Sequence, residues 1–101
     1  MKMMLLVFRN SLEEEVLHLL KSLEVKAFTE APEVLGMGEA ESAFSSSAAR
    51  RSNSMILAAF EQEQADKVVR GLKAFRDQLS RQEQDARIPI RAFLLPCEQV
   101  I

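Results

Sequence analysis

Residues 26–61 read KAFTEAPEVLGMGEAESAFSSSAARRSNSMILAAFE, and this stretch decides how the rest of the chain is organised. An extended segment is followed by a corner at Gly36–Glu39, a tract rich in serine, alanine and arginine, and the unbroken apolar run Met55–Phe60. Residues 36–53 show no stable periodicity, and a structureless connection of this length in a small domain is commonly functional or disordered. The sequence therefore predicts two strands joined by one long, flexible loop.

The composition of this loop leaves one structural alternative open. A short helix over residues 39–50 is compatible with the alanine and glutamate content. The run Ser45-Ser46-Ser47 argues against it, because serine side chains compete with the helical backbone for hydrogen bonds. Ser52 follows Arg50-Arg51 and is a candidate phosphate acceptor, although serines in a flexible loop are more often plain solvated residues.

The residues before residue 26 predict a strand and a helix. Lys2–Arg9 is a short apolar run bounded by charges, which is typical of a strand buried on both faces. Ser11 and Glu14 have the spacing of a capping box, so a helix is expected to begin here and to end near Glu24. Five apolar residues fall on one face of this helix: Leu12, Val16, Leu19, Leu20 and Leu23. The helix is expected to pack that stripe against a sheet.

The residues after Glu61 predict a second helix and a last strand. Gln64–Gln82 carries apolar residues at alternating spacings of three and four, which indicates an amphipathic helix. Gly71 within it is either tolerated or marks the close approach of a neighbour. Ile88–Leu95 follows as a strand and contains a proline near its start. This proline and Pro32 both belong on sheet edges, because proline cannot donate to a strand ladder.

The element order βαββαβ predicts an α+β, ferredoxin-like fold. With right-handed crossovers it builds a four-stranded antiparallel sheet with two helices on one face, strands one and three central, and a long loop between strands two and three. A lone subunit of this fold leaves one sheet face in water, yet three of the strands are apolar on both sides. The sequence therefore predicts a homo-oligomer.

The composition excludes some classes of function. The 101 residues are 48% hydrophobic and carry a net charge of −2, which predicts one domain over residues 1–101 and no nucleic-acid partner. Strand three lacks the basic and aromatic residues that stack RNA bases. The single Cys97 cannot form an intrachain disulfide, and the N-terminal apolar run is too short for a signal peptide or a membrane span. These features favour a cytoplasmic protein that is not inserted in a membrane.

No catalytic or metal-binding constellation is predicted. His18 has no second histidine or cysteine at ligand spacing and is interpreted as a surface residue. Cys97 lacks both a paired thiol and an adjacent base, so it is interpreted as a bystander. Arg9-Asn10 precedes a helix and resembles the anion site of acylphosphatases, but without a glycine-rich loop it is interpreted as an ordinary cap.

The strand order, the long insertion, Lys26–Thr29 leading to Gly36-Met37-Gly38, and the ending Ala92–Ile101 together resemble the PII signal-transduction family, in particular its PII-like relatives. The resemblance covers essentially the whole chain. It implies a homotrimer that binds adenine nucleotides in clefts between subunits. It also implies that residues 36–53 form the family's T-loop, which contacts transporters, enzymes or regulators.

The resemblance also implies site residues. Gly36, Gly38 and Glu39 would form the loop base, and Thr29 lies where the family has a nucleotide-facing threonine. The family's phosphate-holding turn after the second helix contains glycines and a lysine, but residues 80–87 contain neither. Positive charge would come from Arg87 and Arg91, which leaves open a ligand smaller than ATP. The partner-contacting residues would be Ser45, Ser46, Ser47, Arg50 and Arg51.

The sequence thus predicts a non-catalytic regulatory protein. It would sense a small effector, such as an adenine nucleotide, and act through its loop on a partner such as a membrane transporter. Uridylylation of a loop tyrosine is excluded, because the chain contains no tyrosine. The alternative is a trimeric protein of similar fold that binds divalent cations and confers tolerance to them.

Overall fold

Four strands and two helices follow one another in the predicted order βαββαβ. The computed structural model describes residues 1–36, 51–82 and 89–101. The elements are β1 Lys2–Arg9, a 3-10 turn Asn10–Leu12, α1 Glu13–Ser22, β2 Thr29–Gly36, β3 Arg51–Phe60, α2 Gln62–Gln82 and β4 Ile90–Pro96. The predicted loop residues 37–50 and turn residues 83–88 lie outside the described part of the chain.

The strands form one antiparallel sheet in the order β2-β3-β1-β4. The predicted central and edge positions are therefore confirmed: Pro32 lies in the edge strand β2, and Pro89 directly precedes the edge strand β4. Pro32 and Glu33 form a bulge in β2, where the register with β3 shifts between Ala31 and Val34. Glu33 adopts a left-handed φ of 59°, which is uncommon for a residue with a side chain. The bulge lets the edge strand accommodate a residue that cannot donate a hydrogen bond.

The core lies between the sheet and the two helices. Alternate residues of β1 and β3, among them Leu6, Phe8 and Ile56, are fully or almost fully buried on this side. The helices contribute Val16, Leu20, Ala65, Val68 and Leu72. Alternate strand residues on the other side are half-buried or exposed, so the prediction that β1 is buried on both faces does not hold within one subunit.

We call the uncovered side of the sheet the open face. Its central apolar residues follow from the strand register and are Met3, Leu5, Val7, Met55, Leu57, Ala59, Phe93 and Leu95. Leu57 is 37% exposed, Phe93 50% and Leu95 51%. Large apolar side chains that cluster on a surface in this way mark an association site.

The predicted capping box at Ser11 and Glu14 is wrong. Residues 10–12 form a 3-10 turn, and α1 begins one residue later, after Leu12, without a side-chain cap from the described residues. The physical reason is that Ser11 lies inside the 3-10 turn, so the residue at the N-cap of α1 is Leu12, whose apolar side chain cannot accept a hydrogen bond from the helix. The acidic first turn of α1, beginning at Glu13, supplies the favourable interaction with the helix dipole instead.

The predicted strand boundaries also shift. β3 begins at Arg51 instead of Ser54 and ends at Phe60, while β4 covers Ile90–Pro96 instead of residues 88–95. The earlier start of β3 reflects polar residues that pair with β2 and β1 although their side chains are typical of loops. Helix α2 begins at Gln62, two residues before the predicted start.

Gly71 marks a close approach, which settles the alternative that the sequence left open. A Cβ at this position would lie 2.6 Å from Leu23 Cδ1. We expect Gly71→Val to lower the free energy of unfolding by about 1–3 kcal/mol, because the added methyls would collide with Leu23. Urea denaturation measures this loss. In a Leu23→Ala background the same substitution should cost less, and additive costs in the double variant would contradict the proposed contact.

Candidate functional site

Residues that flank the segments 37–50 and 83–88 meet at one end of the sheet. We call this end the rim and define it by Arg9, Asn10, Gly36, residues 51–54 and Pro89. Arg9 pairs with Asn53 of β3, and its backbone N–H donates to the Pro89 carbonyl over 3.1 Å. The rim therefore joins the β1–α1 corner, the two strand ends that flank residues 37–50, and the residue that leads into β4.

Asn10 supplies the side-chain hydrogen bonds of the rim. Its Nδ2 donates to Ser52 Oγ over 2.7 Å, and its Oδ1 accepts from Ser54 Oγ over 2.7 Å. Ser54 is fully buried, so its hydroxyl would be unpaired in an apolar environment without this partner. Sequence reasoning missed Asn10 because it treated the residue as a helix cap. The signal was present in the polar triplet 52–54 at the start of an otherwise apolar strand.

Gly36 is the last residue of β2 and pairs with Arg51. A Cβ on Gly36 would lie 2.5 Å from Asn53 Nδ2, so the Asn53 amide occupies the space that a larger residue would need. The prediction that Gly36 forms the base of the loop agrees with this place at the end of the strand. Its assignment as a ligand-binding residue stays a prediction.

The structure places three of the predicted ligand residues. Thr29 begins β2 opposite Leu57, Gly36 ends the same strand, and Arg91 lies in β4 opposite Val7. By register all three belong to the open-face side of the sheet. Arg51 is described by its backbone alone. The other predicted site residues lie outside the described ranges and are Gly38, Glu39, Ser45, Ser46, Ser47, Arg50 and Arg87.

These three residues do not form one pocket within a subunit. Thr29 and Gly36 lie at opposite ends of β2, roughly 20 Å apart at about 3.3 Å per residue. Arg91 is on the opposite edge strand, three strand spacings or about 14 Å across the sheet from β2. Within one subunit, Arg91 is therefore well separated from both Thr29 and Gly36.

Two clefts lie elsewhere on the subunit. A groove of about 460 Å³ runs between α2 and β4, has an apolar floor that includes Leu72 and Ile90, and is lined by the cationic residues Lys73, Arg76 and Arg91. A polar cleft of about 660 Å³ lies at the other end of the sheet from the rim. Its lining residues are Glu24, Lys26, Ala27, Ala59, Phe60, Glu63, Gln64, Lys67 and Arg70.

A pair of carboxyl groups links α1 with the edge strand. Glu30 of β2 lies opposite Ile56 and is half-buried. A hydrogen bond that protonated Glu30 donates to Glu13, partial burial and repulsion by the Glu13 charge together raise the pKa of Glu30 above its ordinary value. Glu30 Oε2 is buried and has no hydrogen-bond partner within residues 1–36, 51–82 and 89–101.

We expect Glu30→Gln to stabilise the protein at pH 7 by less than about 1 kcal/mol, because this half-exposed pair is partly screened by water. A raised pKa means that the folded state binds the proton more tightly. The stability it provides is present below the ordinary value of 4.5 and is lost as the pH rises through the raised value. Thermal unfolding from pH 4 to 8 should show the gain growing with pH. The exposed Glu33→Gln is the control, and an equal gain at pH 4 would contradict the carboxyl pair.

Metal-ligating residues do not cluster in the described part of the chain. No group of three or more His, Cys, Asp or Glu side chains there is arranged to hold a metal ion. His18 is exposed on α1, and Cys97 is a half-buried free thiol after β4. Of the helices that the structure describes, none is long and apolar enough to cross a membrane.

The fold and the rim define a ferredoxin-like α+β protein that carries a long β2–β3 connection beside a polar strand end. Comparison with protein families identifies this class further. The chain belongs to the nitrogen regulatory protein P-II family, whose profile matches residues 1–101. The predicted resemblance and fold class are therefore confirmed, and the family is one of regulatory proteins. No curated protein matches the chain.

Solved structures of PII-like proteins share the fold. CPII, a nitrogen regulatory PII-like protein from Thiomonas intermedia K12 bound to ADP, AMP and bicarbonate, aligns with a TM-score of 0.65 at 18% identity, covering 93% of this chain and 82% of that one. The same protein has been solved bound to ADP, AMP and acetate, with a TM-score of 0.63 at 18% identity over 92% of this chain and 81% of that one. A putative PII-like signalling protein from Thermus thermophilus aligns with a TM-score of 0.54 at 19% identity, covering 93% of this chain and 83% of that one.

Proposed function

We propose that this chain is a PII-like signalling protein that senses an adenine nucleotide at clefts between the subunits of a homotrimer. Residues 36–53 would transmit the ligand state to a partner protein, such as a membrane transporter. P-II family membership supports the regulatory role, and the nucleotide-bound CPII structures support the ligand class. The proposed setting is the cytoplasm, and no catalytic step is assigned.

The open face is the observation that carries the proposal. Three large apolar residues, Leu57, Phe93 and Leu95, are each between 37% and 51% exposed on it. At about 25 cal/mol for each Å² of apolar surface removed from water, covering such a face stabilises an assembly substantially. Closed cyclic symmetry, as in a trimer, covers every copy of the face and leaves none exposed.

The two edge strands support a head-to-tail arrangement. The β2 edge carries Glu30 and Glu33, whereas the groove beside β4 is lined by Lys73, Arg76 and Arg91. Opposite charge on the two edges favours the β2 edge of one subunit lying beside the β4 edge of the next. Because each subunit would use two different surfaces, such contacts form a closed ring when the rotation between neighbouring subunits is one third of a turn.

This arrangement would complete the ligand site. Thr29 and Gly36 lie at opposite ends of the β2 edge and Arg91 lies on the β4 edge, so the Arg91 of a neighbouring copy would reach a β2 edge that Arg91 of the same copy does not reach. A guanidinium group binds phosphate through paired, charge-assisted hydrogen bonds. Since residues 80–87 contain neither glycine nor lysine, we propose ADP or AMP as the ligand ahead of ATP.

The proposed mechanism is a population shift. A nucleotide that contacts Gly36 and the loop base would bind one arrangement of residues 37–50 more tightly than the others. The size of the shift is limited by the difference in affinity between these arrangements. The partner would then bind the arrangement that the nucleotide favours.

Isothermal titration calorimetry with ATP, ADP and AMP tests the ligand assignment. We expect ADP or AMP to bind, and Arg91→Ala to weaken binding about ten- to hundredfold through loss of a charged hydrogen bond. Arg70→Ala is the matched control, because Arg70 lines the cleft at the other end of the sheet. Failure of all three nucleotides to bind would contradict the proposal. Stabilisation by divalent cations alone would favour the cation-binding alternative.

A further inference from the structure

The β1–α1 corner, Arg9 and Asn10, joins segments that are far apart in the chain. Asn10 bonds to Ser52 and Ser54, which lie 42 and 44 residues away. Arg9 bonds through its backbone to Pro89. The corner therefore contacts the strand end that follows residues 37–50 and the residue that follows residues 83–88.

The chemistry of the Asn10 amide suits two different partners. Its oxygen accepts the Ser54 hydroxyl while its nitrogen donates to the Ser52 hydroxyl, each over 2.7 Å. Because one planar group makes both bonds, the two serines are held in a fixed relation to the corner. Ser54 is buried whereas Ser52 is exposed, so the amide spans the boundary between the core and the solvent.

Fixing these serines also fixes the residue between them. Ser52 and Ser54 belong to the helix-facing side of β3, so Asn53 belongs to the opposite side. There its Nδ2 occupies the space next to Gly36, the end of the other strand that flanks residues 37–50. Asn10 is thus connected through three consecutive residues of β3 to both strand ends of the rim.

We propose that Asn10 is a positioning residue for the rim. It holds residues 51–54 in the strand register that places Asn53 against Gly36, and so fixes both strand ends at the proposed ligand site. Within the polar triplet 52–54, Asn10 supplies the Ser52 and Ser54 side chains with hydrogen bonds that water would otherwise make. This inference rests on the proposed function only where it links the rim to ligand binding.

Hydrogen–deuterium exchange of the full chain without ligand tests the positioning role. We expect Asn10→Leu, which keeps the size of the side chain and removes both hydrogen bonds, to speed amide exchange at residues 51–54 about three- to tenfold. Residues 57–60 in the same strand should be unchanged. Ser52→Ala removes only the exposed bond and should produce a smaller rise, which keeps the test informative if Asn10→Leu does not fold.

Gln62→Leu is the matched control, because it removes an exposed amide bond, to Asp66, at the other end of the sheet. Its effect should not reach residues 51–54. Uniformly faster exchange along β3 in Asn10→Leu would show that Asn10 only stabilises the fold as a whole and would contradict a positioning role. Unchanged exchange at residues 51–54 in every variant would also overturn the proposal. ADP affinity should fall by a similar factor in Asn10→Leu, and unchanged ADP affinity would overturn the link to the site. Absence of ADP binding in the wild type would count against the proposed function while leaving the exchange result decisive for Asn10.

Discussion

Leu57→Asp is expected to convert the proposed homotrimer into monomers. Leu57 lies in the central strand β3, between Thr29 of β2 and Leu5 of β1, in the middle of the open face. In the proposed assembly this face is covered by other copies, and an unpaired carboxylate buried there costs several kcal/mol. Each subunit carries the substitution, so the penalty is repeated around the ring. Sedimentation velocity at micromolar concentration should show about one third of the wild-type mass.

A negative charge at another surface position tests whether the loss of the trimer depends on the open face or only on the added charge. Ala74→Asp adds the same group at an exposed position of α2 and should leave the mass unchanged. A Leu57→Asp variant that remains trimeric with an unchanged melting temperature would show that the open face is not the interface. A monomeric wild type at the same concentration would also contradict the proposal, together with the ligand cleft that depends on it.

The fold was predictable because its strongest signals are local. Pro32 and Pro89 favour edge strands, and the apolar runs of β1 and β3 favour central positions. The element order and the sheet order follow from these constraints and from right-handed crossovers. None of these constraints depends on a tertiary contact, so the element order and the sheet order could be predicted from the sequence.

The boundaries at the rim were not predictable for the opposite reason. Residues 51–53 are polar and resemble a loop, yet they pair with β2 and β1, and Asn10 donates a hydrogen bond to the Ser52 side chain from a distant part of the chain. Local propensity cannot detect a hydrogen bond between residues 42 positions apart.

The sequence predicted which residues belong to the candidate site but not how they are arranged in the fold. Family resemblance selected Thr29 and Gly36, and Arg91 was chosen for its positive charge, but nothing in the sequence indicated that these residues lie on opposite edges or at opposite ends of one subunit. Their separation becomes meaningful only in an assembly, which one sequence does not encode directly. The two-sided apolar strands gave the indirect signal, because they predict that neighbouring copies must meet.

Ile56→Ala is expected to lower the free energy of unfolding by about 2–5 kcal/mol, through lost transfer energy and the cavity that remains. Ile56 is the neighbour of Leu57 but points to the helices, is fully buried, and lies between Leu6 and Glu30 in the sheet. For a chain of 101 residues the whole free energy of unfolding is on the order of 5–15 kcal/mol, so this one substitution removes a large part of it.

Urea denaturation followed by circular dichroism measures the loss as a lower midpoint at unchanged slope. Ile56→Val is the matched control and should cost only about 0.5–1.5 kcal/mol, because it removes one methylene from the same site. Neither substitution alters the open face, so both variants should keep the wild-type mass wherever they are folded. Leu57→Asp should instead make stability independent of protein concentration, since dissociation would no longer accompany unfolding. A cost below about 1 kcal/mol for Ile56→Ala would show that β3 is turned the other way, with Leu57 rather than Ile56 beneath the helices.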